Sequence, residues 1–158
     1  MRLLVPLAAL LCTLGCRSAP TAVLTSAEPV AISVTELPSI GSRPADTPSF
    51  SGSLAIAPSR MDSLYQVRFQ GVLFDITVDR SGLTSYVSTS DESFSTPEGV
   101  RPGGALTDAM ARAGANPILE PGWACHVRLP SGWHAAARLE GRQLDRCGES
   151  VAWVFQRS

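Results

Sequence analysis

The sequence predicts an α+β domain: an antiparallel sheet of five or six strands with one short helix packed on it. Three observations carry this expectation. Apolar and polar residues alternate with period two from Tyr65 to Val78 and again from Trp123 to Leu139, the spacing of strands with one buried face. Leu106, Ala109, Met110 and Ala113 fall instead at i, i+3, i+4 and i+7, on one side of a helix. Val151, Trp153 and Phe155 alternate again near the end of the chain and predict a last strand.

Before the domain come two other segments. Met1-Arg2 is followed by an apolar run from Leu3 to Leu11 and by Cys12-Thr13-Leu14-Gly15-Cys16. One positive charge, a short apolar core and a small residue before a cut site mark a secretory signal. A bilayer span takes about 20 residues, so this run reads as a removable leader. Its end resembles the lipobox of bacterial lipoproteins, with Gly15 as the small residue and Cys16 as the thiol. Leu14 stands one place nearer the cysteine than in the usual pattern, and Thr13 takes the leucine's position. The resemblance implies cleavage before Cys16 and acylation of its thiol, giving a domain lipid-anchored to a membrane and facing the periplasm or exterior. Several acyl chains on one cysteine hold far better than a single marginal one. An ordinary cut near Ala19 or Ala22 is the alternative, and it would release a soluble exported protein.

Residues 17–49 are rich in Pro, Ser, Thr and Ala, with Pro20, Pro29, Pro38, Pro44 and Pro48 at irregular spacing. Such a stretch cannot bury enough apolar surface to offset its ordering entropy and is expected to be a disordered tether. Random-coil scaling over roughly 33 residues gives it a reach of about 30 Å. Val30, Ile32 and Val34 alternate with smaller residues, so a short edge strand inside it is the alternative.

The globular domain is expected over 50–158. Tyr65, Val67 and Phe69 lead to Gly71, after which Val72, Phe74, Ile76 and Val78 resume the pattern, as two antiparallel strands bent or joined at the glycine. Asp79-Arg80-Ser81-Gly82 has turn chemistry, and Leu83 to Ser88 leaves it as a third strand of a meander. Thr89 to Gly104 carries no period and reads as a long loop. Gly114 supplies the left-handed stop of the helix. Past Pro121-Gly122, the run Trp123 to Leu139 folds into a hairpin over Pro130-Ser131-Gly132. Pairing Leu129 with Trp133 puts Trp123, Cys125, Val127, Trp133, Ala135 and Ala137 on one buried face. His126, Arg128, His134 and Arg138 then line the other.

Cys125 and Cys147 remain once the leader is removed, and an even pair in an exported chain predicts a disulfide, worth roughly 3 kcal/mol for a loop of this size. No metal site is expected, since Cys125 and His126 are neighbours on a strand and point to opposite faces. No C-x-x-C spacing supports redox chemistry.

Composition narrows the function. All thirteen cations are Arg and there is no Lys, which removes Schiff-base and P-loop chemistry. Losing Arg2 with the leader leaves 12 arginines against 14 acids, a net charge of −2, so a nucleic-acid partner is not expected. No G-x-S-x-G occurs, and no catalytic residues or cofactors are assigned. Asp75 with Asp79, or Asp91 with Glu92, could be imagined as a carboxylate pair, but solvated acids explain them as well. The face carrying His126, Arg128, His134 and Arg138 is the candidate for binding an anionic group, a cell-wall carboxylate or an acidic partner. Neutralisation by an acid from a neighbouring strand is the alternative.

Phe94 to Asp108, with its Thr96-Pro97-Glu98-Gly99-Val100 stretch leading through glycine into the helix, resembles a segment of uncharacterised exported bacterial domains. More distantly it is similar to small α+β envelope lipoproteins related to the BamE assembly factor. That resemblance implies an envelope α+β fold and transfers no catalytic residue. The expected role is a non-enzymatic binding or accessory module of the cell envelope. Competing readings are an enzyme with its site between the 89–104 loop and the sheet, and a purely structural spacer.

Overall fold

A computed structural model describes residues 31–44, 50–142 and 144–158. The leader, Cys16 and much of the 17–49 segment lie outside the described residues. In chain order the elements are β1 (Ile32–Val34), β2 (Phe50–Ala57), β3 (Arg60–Phe69), β4 (Val72–Val78), β5 (Thr84–Thr89), α1 (Leu106–Ala113), β6 (Ile118–Glu120), β7 (Ala124–Arg128), β8 (His134–Ala137), β9 (Leu139–Glu140), β10 (Arg146–Cys147) and β11 (Trp153–Arg157). Sheet with one short helix is the predicted class. The sheet itself is larger than the predicted five or six antiparallel strands: nine strands, mixed, in the order β1-β3-β4-β5-β11-β8-β7-β6, with β2 also on β3. Among the described strands only β1 runs parallel to its neighbour; β9 and β10 form a separate two-stranded ribbon.

Residues 31–44 belong to this folded unit, which corrects the tether boundary at residue 49. Ile32, Ser33 and Val34 pair with Val67, Arg68 and Phe69, and Leu37 and Ile40 pack on the core. Gly41 and Ser42 clip onto β5 through Gly41 N–H to Thr84 O at 2.8 Å and Thr84 N–H to Ser42 O at 2.7 Å. Composition argues for disorder there, but an edge strand borrows its order from the sheet it joins. β3 serves two partners along one edge: β2 pairs with Arg60 to Tyr65, β1 with Val67 to Phe69.

The meander follows its sequence pattern closely. Phe69 pairs with Val72, Val67 with Phe74 and Tyr65 with Ile76 across a two-residue turn in which Gln70 and Gly71 both take positive φ. Asp79 Oδ1 accepts from the N–H groups of Ser81 and Leu83 and sets the next turn. A bulge opposite Thr77 and Val78 then breaks the alternation of Leu83, Ser85 and Val87, and Ser85 Oγ donates to Asp62 at 2.7 Å.

Two cores flank the sheet. On the first face Val67, Phe74, Ile76, Val87, Val127, Leu129, Trp133 and Val154 meet Leu106 and Ala109 of α1. Asp108 in the first turn and Arg112 in the last suit the helix dipole, and Gly114 ends the helix at φ 63°. On the second face Ile56, Tyr86, Ala136 and Phe155 pack with Leu54, Trp123 and Trp153. Trp123 Nε1 donates to Ala55 O at 2.9 Å, so β2 curls back over this face to meet a residue from the far end of the sheet.

The C-terminal hairpin keeps the predicted register, with Leu129 N–H bonded to Trp133 O at 2.7 Å and Val127 paired with Ala135. One part of the expectation fails. Trp123 and Trp133 lie on opposite sides of the sheet, because Trp123 belongs to the turn before β7, where period-two counting no longer applies. The second face is therefore aromatic and covered, not an open cationic ribbon. Cys125 and Cys147 are disulfide-bonded across 22 positions of chain, tying β7 to β10. Among the described residues no helix is long and apolar enough to cross a membrane.

Candidate binding groove

The second face brings together groups from four strands. β7 and β8 place His126 and His134 side by side, β6 adds Glu120 and β11 adds Arg157. His126 is fully buried, and its Nε2 lies 2.9 Å from Glu120 Oε1. Arg157 grips the same carboxylate with both terminal nitrogens, Nη1 to Oε2 at 3.1 Å and Nη2 to Oε1. Its guanidinium also lies over the Trp123 ring, 4.9 Å from the centroid. His134 stacks on Phe155 at 4.7 Å.

Charge on this face is resolved internally. The Arg157 hydrogen bonds hold Glu120 down to about 2, so it is ionised throughout the physiological range. Burial lowers His126. Burial first, then the neighbouring His126 and the charges of Arg157 and Arg128, lowers His134 to about 4. Both imidazoles are neutral at pH 7, and the net charge of the four groups is zero. An acid from a neighbouring strand thus answers the histidines, while Arg128 and Arg138 stay exposed at the margins.

Beside this cluster lies a groove of about 310 Å³. Trp123 and Trp153 form its aromatic walls, with ring centroids 6.2 Å apart and planes at 75°. Trp153 Nε1 donates to the Tyr86 hydroxyl at 3.0 Å, and burial pushes that phenol up, so it stays protonated. Asp75, held at Oδ1 by Gln66 Nε2 at 3.0 Å, and the deeper Ser88 supply oxygen atoms, and Arg138 supplies a guanidinium. Of the four residues expected to form a cationic face, only Arg138 lines the groove.

A second cleft of about 400 Å³ runs between the 92–105 segment and α1, on the side of that loop away from the place between loop and sheet that the competing enzyme reading expects. Glu92, Arg101, Asp108 and Arg112 line it, all exposed, and Arg112 Nη1 is occupied by Glu98 O at 2.6 Å. The imagined carboxylate pairs have local duties: Asp75 holds Gln66, Asp79 its turn, and Asp91 accepts from Ser93 N–H at 2.9 Å. Among the described residues no three His, Cys, Asp or Glu side chains converge as a metal site.

Sequence reasoning missed Glu120, Arg157, Trp123, Trp153 and Tyr86 as neighbours. Glu120 sits in a three-residue strand between Pro117 and Pro121, where the prolines read as breaks. Arg157 follows the alternation of Trp153 and Phe155 and could have been placed on their face by counting in twos. No family model matches the chain, and no curated protein or solved structure is significantly similar to it.

Proposed function

We propose that the chain is an exported bacterial lipoprotein, anchored to an envelope membrane through Cys16, whose domain is a non-catalytic binding or accessory module. Its partner would be another envelope protein or an anionic cell-wall component. The lipobox-like leader supports export and anchoring, and the Cys125–Cys147 disulfide suits an oxidising compartment. The likeness of Phe94 to Asp108 to exported bacterial domains supports the same compartment.

One observation carries the non-catalytic reading. The ionisable groups that the fold gathers, fully buried His126 with the partly buried Glu120, Arg157 and His134, are spent on one another, and the groove beside them offers aromatic surface, the Arg138 guanidinium and Asp75, a carboxylate already held at one oxygen by Gln66. General acid–base chemistry needs a titrating group free to meet a substrate. Recognition needs only surface and hydrogen-bonding groups held still. Expression in a bacterial host followed by membrane fractionation tests the anchor: Cys16→Ser should move the protein from membrane to soluble exported fraction. Crosslinking in intact cells should then capture a discrete envelope partner with the wild-type chain. A wild-type protein that stays soluble and unacylated, or that turns over envelope substrates without forming any complex, overturns the reading.

A further inference from the structure

We infer that the groove between Trp123 and Trp153 binds a carboxylate-bearing sugar ring, of the chemical class found in wall polymers as muramic acid. The envelope reading above enters only as the source of such a ligand; the recognition chemistry is that of the groove.

Both indole N–H groups are already committed, Trp123 to Ala55 O and Trp153 to the Tyr86 hydroxyl. The half-buried rings can therefore offer a ligand only their carbon surface. Set nearly perpendicular, they form a corner rather than a flat wall. A pyranose presents a C–H face and edge that such a corner accepts, while its hydroxyls point outward to polar groups. One such group is Asp75, which has one oxygen held by Gln66; the Ser88 hydroxyl lies deeper in the groove, beside the Tyr86 hydroxyl. At about 310 Å³ the groove is at the small end of the roughly 300–1,000 Å³ of small-molecule sites, which suits one ring and not an extended chain.

Arg138 makes the ligand acidic. It lines the groove, is exposed, and takes part in no ion pair among the described residues, unlike Arg157 and Arg60. A neutral sugar would satisfy Asp75 and leave the guanidinium to water. A carboxylate on the ring would engage it through paired N–H donors. A free amino acid would match the opposed charges of Asp75 and Arg138 but carries no ring hydroxyls to meet the oxygen atoms of the groove.

The test titrates the purified, disulfide-bonded full chain carrying Cys16→Ser with N-acetylmuramic acid, N-acetylglucosamine and free phenylalanine, following the three indole N–H resonances by NMR. Trp133, in the opposite core, is the internal control. N-acetylmuramic acid should shift Trp123 and Trp153 and leave Trp133 in place, with an affinity at least about fivefold above that of the neutral sugar. Arg138→Gln, at an exposed site, should erase that preference without lowering the melting temperature. Trp153→Ala should weaken both sugars about tenfold, and Asp75→Asn serves the same purpose should the tryptophan variant not fold. Equal affinity for the two sugars, a preference that survives Arg138→Gln, tighter binding of phenylalanine, or no shift at millimolar sugar each overturns the assignment. The Cys16→Ser fractionation reads the anchor alone, so failure of the groove and failure of the envelope reading give separate results.

Discussion

His134 and His126 meet through their Nδ1 atoms, 3.1 Å apart, and a single proton must lie between them. The rest of the cluster decides whose it is. Glu120 is ionised, so His126 keeps its proton on Nε2 facing Oε1, and its Nδ1 is a bare acceptor. His134 therefore donates. The result is an ordered chain from the Arg157 guanidinium through Glu120 and His126 to His134, in which each member fixes the tautomer of the next.

This chain makes the fold sensitive to acid. His134 is depressed from 6.5 to about 4, so an unfolded chain takes up its proton first. Its contribution is complete above about pH 6.5 and is lost as pH falls toward 4. Glu120, depressed from 4.5 to about 2, acts in the same direction over the next window down. Chemical denaturation should show stability falling by about 2 kcal/mol between neutral pH and pH 4, an effect that His134→Gln reduces, leaving the part that comes from His126. A flat profile over that range would contradict the buried, neutral pair.

Replacing Glu120 with Gln strips the countercharge from the half-buried Arg157 and weakens the acceptor for His126. Unfolding free energy should drop by about 2–4 kcal/mol. Adding Arg157→Gln should recover part of that loss, so the double variant falls short of additivity. Additive losses would mean that the two charges act separately.

Reduction of the Cys125–Cys147 bond, or Cys147→Ser with Cys125→Ala, should cost roughly 3 kcal/mol, read as a shift of the urea midpoint between oxidised and reduced protein. Cys125 is fully buried, so alanine rather than serine is the fair replacement there.

Gly114→Ala tests the helix stop alone. An added Cβ at this position meets nothing within 4 Å, yet φ is +63°, so the change should cost about 1 kcal/mol from backbone strain only. An unchanged melting temperature would show that the helix end relaxes freely.

The strands that read clearly in the sequence are those whose order comes from their own alternation. Val67 to Ile76 reads as strand on either side of Gly71, and Cys125 to Ala137 reads in its observed register, because one residue of slip there would expose core side chains. Elements whose order comes from a neighbour were barely legible, β1 only as an alternative edge strand and β2 and β6 not at all. β1 and β6 are three residues each, and the Ser- and Ala-rich β2 has no strong period; all three exist through what they pair with. The same distinction explains the site. The even-numbered positions of β7 and β8 put His126, Arg128 and His134 on one side as expected, with Arg138 just past the end of β8. That Glu120 and Arg157 would answer the histidines depends on sheet order, which alternation does not encode.

The position of β11 has a consequence for biogenesis. It lies between β5 and β8, yet is made after both, so the two halves of the sheet have no seam until Trp153 to Arg157 arrives to join them. Until then each half is an open ribbon with a bare edge. A chain that emerges from its N-terminal side would thus keep the two halves of the sheet separable, and close the hydrogen-bonded seam only once β11 is free to enter between them.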